Sequence, residues 1–129
     1  MNTDTVVSNR GQSMKTIPAS QRIIFALDVE SGDAAKEWVI QLESEITLFK
    51  VGLELFLAGG FDIVHWIHDR GLEVMLDLKF FDVPQTVAKA VRQVSQSEVS
   101  LMTVHGNDAM LQAAVETAGQ TRILAVTAL

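Results

Sequence analysis

The sequence is 129 residues long, which fits one ordinary domain, and its 48% hydrophobic content describes a chain with a real core to bury. A formal net charge of −6 argues against nonspecific binding to nucleic acid, which needs basic stripes, and no run of about 18 apolar residues offers a membrane span. The N-terminus shows no apolar signal-peptide core, and the absence of cysteine excludes disulfides and thiolate metal sites, so a reducing cytoplasm is the expected setting.

Residues 1–21, polar and without periodicity, read as a flexible extension in which Met14 is an alternative start. The apolar run 22–29 reads as a strand buried on both faces. Ser31-Gly32-Asp33 breaks it, and Asp33 is the expected N-cap of a helix over 34–43 with Trp38 and Leu42 in its core stripe. A second strand, 47–51, carries Lys50. A short helical piece over 53–57, the pair Gly59-Gly60 and a helix over 61–70 follow, and Gly71 stops that helix. Strand three is 73–78. Pro84 suits the first turn of a helix running to 96. Strand four is 99–104, Asn107 or Asp108 caps a helix ending near 118, and strand five is 123–127.

Strand and helix thus alternate four times before a fifth strand, at a spacing of about 25 residues that suits parallel strands with crossover helices. A doubly wound sheet and a (β/α)8 barrel both fit. A barrel typically takes about 250 residues, roughly twice this length. The chain also stops on an apolar strand, which leaves a sticky edge. Residues 22–129 are therefore expected to be the first four βα units plus strand five of a barrel, a partial one.

Each strand ends in a polar group: Asp28, Lys50, then Asp77 and Lys79, then His105. Side chains two apart on a strand share a face, so Met75, Asp77 and Lys79 point one way while Val74, Leu76 and Leu78 point the other. A lone Asp-x-Lys reads most simply as a structural ion pair. Four consecutive strands that each bring an ionisable group to one rim point instead to a site, because catalytic groups of barrels gather at the carboxyl ends of strands. Lys50, Asp77, Lys79 and Asp82, alternating in sign, would keep one another charged. A cation fixed beside an anion can stabilise negative charge on a substrate carbon and then deliver a proton. No nucleotide-binding glycine loop or zinc-binding helix motif is present.

The segment Asp77-x-Lys79-x-x-Asp82-Val83-Pro84-x-Thr86 resembles the signature of the orotidine 5'-phosphate decarboxylase family. Ala26-Leu27-Asp28, Phe49-Lys50-Val51-Gly52 and Val104-His105 match in the same order, and the resemblance covers 22–129. It implies a (β/α)8 barrel that decarboxylates orotidine 5'-monophosphate to UMP as a homodimer, with no metal or organic cofactor. It also implies that Lys79 is the proton donor to C6 of the pyrimidine and that Asp77 lies beside the departing carboxylate. Lys50 and Asp28 would bind the ribose hydroxyls and orient the charges. Asp82 and Thr86 would reach the neighbouring subunit's site, and His105 would only pack or support. The family's pyrimidine and phosphate contacts come from later segments. Because remote phosphate binding drives much of the acceleration, the isolated chain is expected to show no measurable turnover.

A sister group shares D-x-K-x-x-D but uses magnesium: the 3-keto-gulonate-phosphate decarboxylases and hexulose-phosphate synthases. Ala-Gly usually follows the second Asp there, where this chain has Val83-Pro84. EDTA-resistant loss of orotidylate would separate the two branches. A non-catalytic piece stabilised by association is the alternative from outside enzymology. His65 and His68 read as ordinary surface residues, Gly59-Gly60 as a helix junction, the methionines and tryptophans as core, and Glu43-Ser44-Glu45 as solvated surface.

Overall fold

Five parallel strands lie side by side in the order in which they occur in the chain. The computed structural model describes residues 16–128. They form β1 (Ile24–Ala26), α1 (Gly32–Leu42), β2 (Leu48–Gly52), α2 (Leu53–Asp69), β3 (Glu73–Phe80), α3 (Pro84–Ser95), β4 (Leu101–His105), α4 (Asp108–Thr117) and β5 (Arg122–Val126).

The strand order separates the two architectures that periodicity left open. A doubly wound sheet reverses direction at a switch point, and its helices cover both faces. Here every step is to the next strand, and right-handed crossovers that always step the same way put all four helices on one face. This is the arrangement of the first four βα units and fifth strand of a (β/α)8 barrel.

Register assigns the two faces. Phe49 pairs with Val74, and Val51, Leu76, Met102 and Ile123 run across β2 to β5. Phe49, Val51, Val74, Leu76 and Met102 are buried against Val39, Ile63, Val64, Ile67 and Val91 of the helices. The opposite face carries Ala26, Lys50, Met75, Leu101 and Arg122 in one row, with Asp77 and Thr103 above it toward the carboxyl ends. That is the face which would line a barrel.

Several local expectations need correction. Ser31 rather than Asp33 caps α1: its backbone is extended and its Oγ accepts from Ala34 N at 3.2 Å. Asp33 instead lies in the first turn, where its charge suits the helix dipole. β1 is shorter than 22–29 and is not buried on both faces, since Ile24 is 42% exposed. Among the described residues it pairs only with β2. Ala35 and Val39 form the buried stripe of α1, while Trp38 is 43% exposed and rests against Phe25. Trp66 is only partly buried, beneath the cations of Lys36 and Arg70. Glu43 is not simply solvated: Arg70 donates to both of its oxygens, at 2.7 and 2.6 Å, tying the end of α1 to that of α2. That bonding, together with the positive charge of Arg70 and against the opposing effect of burial, holds the Glu43 carboxyl below its ordinary value. β4 and β5 begin and end within two residues of expectation.

Most of the expected extension 1–21, Met14 included, lies outside the described residues. Its last part is a 3₁₀ turn, Ala19–Gln21, and Ser20 O accepts from Thr47 N and Thr47 Oγ1 just before β2.

The break expected at Gly59-Gly60 falls inside α2, where Gly60 adopts φ 55°, ψ −147° and kinks the helix. Nothing lies within 4 Å of where its Cβ would be, so a side chain there meets only backbone strain. Gly60→Ala is expected to destabilise the fold by about 1–3 kcal/mol, read from urea unfolding, because this region is essentially closed to other residues.

Candidate active site

Asp77 stands on the helix-free face of β3, toward its carboxyl end, with a side chain 11% exposed. Its Oδ1 accepts from Lys79 Nζ at 2.8 Å and from Thr103 Oγ1 at 2.9 Å. Its Oδ2 faces Lys50 Nζ at 3.5 Å. Lys50 is the register partner of Met75, two residues before Asp77, so β2 brings its long side chain up the same face from one step below.

Lys79 reaches this position by an unusual route. The register of β3 with β4 shifts between Leu76 and Phe80, and Lys79 takes φ 49°. A non-glycine residue in that region is uncommon and is held there by its surroundings. One of the groups holding it is a side chain of the next strand: Lys79 N donates to Thr103 Oγ1 at 2.9 Å.

Burial pushes the Asp77 carboxyl up. Hydrogen bonds from Lys79 and Thr103, together with the positive charges of Lys79 and Lys50, outweigh that and hold it below the ordinary aspartate value. Asp77 is therefore a carboxylate at neutral pH, shared between two cations.

The other expected site residues gather less tightly. Asp28 lies beyond β1, with its Oδ1 3.9 Å from where a Cβ on Gly52 would sit, and among the described residues it forms no ion pair with Lys50 or Lys79. Asp82 does not join the alternating charges. It is exposed, and its Oδ1 accepts from Val83 N at 2.7 Å. The reason is Pro84: its ring sits in the first turn of α3 and leads the chain off the strand axis, so Asp82 serves the turn. Thr86 is exposed in the first turn of α3. His105 ends β4 with Phe81 edge-on at 5.5 Å, and its buried Nδ1 has no partner among the described residues.

Thr103 was not among the expected site residues. Its position was legible, since Leu101, Thr103 and His105 alternate on one face of strand four. Threonine is common in strands, however, and nothing in one sequence marks this one as bonded to an aspartate.

Among the described residues no three His, Asp or Glu side chains cluster as metal ligands would. His68 bonds Glu98 at 3.0 Å rather than working with His65. A concavity of about 560 Å3, lined by Gln21, His68, Glu73 and Arg122 among others, lies at the opposite ends of the strands. It is remote from the lysine–aspartate group, and the chemistry of the side chains, not the size of the hollow, identifies the site. Among the described residues no helix is long and apolar enough to cross a membrane.

The family model described as "Orotidine 5'-phosphate decarboxylase / HUMPS family" matches residues 21–129. The chain is 47% identical over 118 residues to an orotidine 5'-phosphate decarboxylase of Methylococcus capsulatus, covering 91% of this chain and 49% of that protein. In structure it is similar to an uncharacterized conserved protein of Geobacillus kaustophilus, with TM-score 0.77 and 32% identity over 82% of this chain and 54% of the other. It is also similar to orotidine 5'-phosphate decarboxylase from Pyrococcus horikoshii, with TM-score 0.72 and 28% identity over 79% of this chain and 49% of that one. The chain spans about half the length of the curated relatives it matches.

Proposed function

Because this chain belongs to the orotidine 5'-phosphate decarboxylase / HUMPS family, we propose that the protein carrying it converts orotidine 5'-monophosphate to UMP and CO2 in pyrimidine biosynthesis, in the cytoplasm. The observation that carries this reading is the Asp77 carboxylate shared between Lys50 and Lys79 at the carboxyl ends of parallel strands.

In the proposed step the bond from C6 to the substrate carboxylate breaks, CO2 departs, and the electron pair stays on C6. The Lys79 ammonium, steered by Asp77, lies against that developing charge and stabilises it electrostatically. A Lys79 Nζ proton then forms the new C6–H bond, and the amine regains a proton from water. In this reading Asp77 lies beside the departing carboxylate and holds the Lys79 ammonium in place for the developing charge. Lys50 and Asp28 bind the ribose hydroxyls. The scheme draws on no metal or organic cofactor.

The reading extends to a homodimer in which Asp82 and Thr86 reach the partner's site. Two features of the turn support it: both side chains are exposed, and Phe81, 67% exposed, lies next to Asp82 with exposed Val83 on its other side. Residues 22–129 act in this scheme as the N-terminal half of the barrel.

The test is the loss of orotidylate absorbance with the full-length protein. Decarboxylation is expected and should persist in EDTA. No turnover of orotidylate would remove the proposal, and magnesium-dependent decarboxylation of 3-keto-gulonate phosphate in its place would move the protein to the sugar-phosphate branch.

A further inference from the structure

The lysine–aspartate pair is closed into a ring by a third residue on another strand. Lys79 N–H donates to Thr103 Oγ1 and Lys79 Nζ donates to Asp77 Oδ1. Thr103 Oγ1, in turn, donates to that same Asp77 oxygen. A threonine hydroxyl has one proton to give. With the Lys79 amide taking one of its lone pairs, its hydrogen is directed to Asp77. Both ends of Lys79 are therefore referenced to one aspartate oxygen, the backbone through Thr103 and the ammonium directly.

Thr103 is 3% exposed, and its partners lie 24 and 26 residues earlier in the chain. Such a hydroxyl is not competing with water, and its bonds bridge β3 and β4 at the point where their register shifts. Without it the Lys79 amide loses the partner that accompanies its left-handed backbone, and Asp77 loses the one uncharged side-chain donor it has among the described residues. The lysine and the aspartate would still attract each other, but over a wider range of positions.

We infer that Thr103 is a positioning residue for the decarboxylation, a hydroxyl bridge that fixes the Lys79 ammonium and the Asp77 carboxylate relative to one another and to the rim. Thr103 does not touch the reacting atoms and acts through Lys79 and Asp77. The inference rests on the function proposed above. It predicts a change in turnover rather than in substrate affinity, because the ribose contacts assigned to Lys50 and Asp28 do not pass through Thr103.

The experiment compares Thr103→Val and Thr103→Ser in the full-length protein. Valine keeps the shape and removes the hydroxyl; serine keeps the hydroxyl. Valine is expected to lower kcat roughly 100-fold, the scale of a misplacement near 1 Å, with KM within about threefold, while serine stays within about threefold in both. In parallel, carboxyl-carbon NMR follows Asp77, whose titration is expected to move to higher pH in the valine variant and to stay in place in the serine variant. Valine-variant turnover equal to that of the unsubstituted protein would overturn the inference while leaving the proposed function standing. If the unsubstituted protein does not decarboxylate orotidylate, the functional reading fails, and the catalytic role given to Thr103 fails with it. The bridge is still judged separately, by whether valine displaces the Asp77 titration. Should the valine variant not fold, Thr103→Ala read against Thr103→Ser decides the same two questions.

Discussion

Lys79→Ala in the full-length protein is expected to lower kcat for orotidylate by about 10⁴-fold, the upper end of what one positioned proton donor contributes. Its fold should remain close to intact. The Lys79 side chain is 43% exposed, so its pair with Asp77 is partly screened by water, and such pairs are typically worth about 0–1 kcal/mol. Nor does its removal strand the carboxylate, which keeps the Thr103 hydroxyl and the Lys50 ammonium. Alanine inherits the same φ of 49°, so the substitution neither relieves nor adds backbone strain. Lys79→Arg sharpens the reading. A guanidinium keeps the charge but does not release a proton near neutrality, so it should stabilise the anion poorly positioned and protonate it slowly. Steady-state kinetics with a matched thermal melt would check both variants. An alanine variant that melts normally and decarboxylates at the original rate would end the assignment of Lys79 as acid.

Asp77→Asn is expected to reduce kcat by roughly 10³-fold and to cost the fold about 1–3 kcal/mol. Among the described residues the aspartate is the one anion the two lysines share. An amide in its place keeps one acceptor but leaves the two ammonium groups without their shared anion, and it can present an N–H to a donor. The stability loss should depend on pH in a definite direction. In the folded chain the Asp77 carboxyl is held below its ordinary value, because the bonds and charges of Lys79, Thr103 and Lys50 outweigh the effect of burial. A carboxyl depressed on folding stabilises the native state above its unfolded pKa of about 3.9, and that contribution disappears as pH falls through the lower folded value. Urea titrations of the two proteins should therefore differ by a constant amount from neutrality down to about pH 5 and converge below about pH 4. Curves that stay parallel through the acid range would show that Asp77 is not the titrating contributor.

Much of this molecule is written in short stretches of its sequence. The alternation of apolar strands with helical segments, the start of α3 at Pro84, the cap at Asn107 and the break near Gly60 each follow from rules that act within a few residues. Backbone sterics and the periods of strand and helix decide them locally. The same two-residue period put Asp77 and Lys79 on one face in the sequence, but in the fold the register shift and left-handed backbone at Lys79 interrupt that period. The register of β2 with β3 puts Lys50 on the face of Asp77. The family signature around Lys79 carried the reading from a charged strand end to a reaction.

The tertiary structure decided the rest. Periodicity requires crossovers but does not say which edge the next strand joins, and only the unbroken order β1 to β5 excludes the doubly wound sheet. Asp82 was expected among the charges by its spacing, but the turn before α3 points it elsewhere. Trp38 was expected in the stripe of α1 by its four-residue spacing from Leu42, but burial went to the smaller Ala35 and Val39. Thr103 shows the division most plainly. Its bond to Asp77 joins residues 26 apart, across strands whose register shifts, and no local rule reports such a contact. The sequence by itself determined which groups the strands carry to the rim, because a strand's faces are set by its own backbone. Which of those groups meet depends on how separate strands align, and that is fixed only when the sheet assembles and its helices pack.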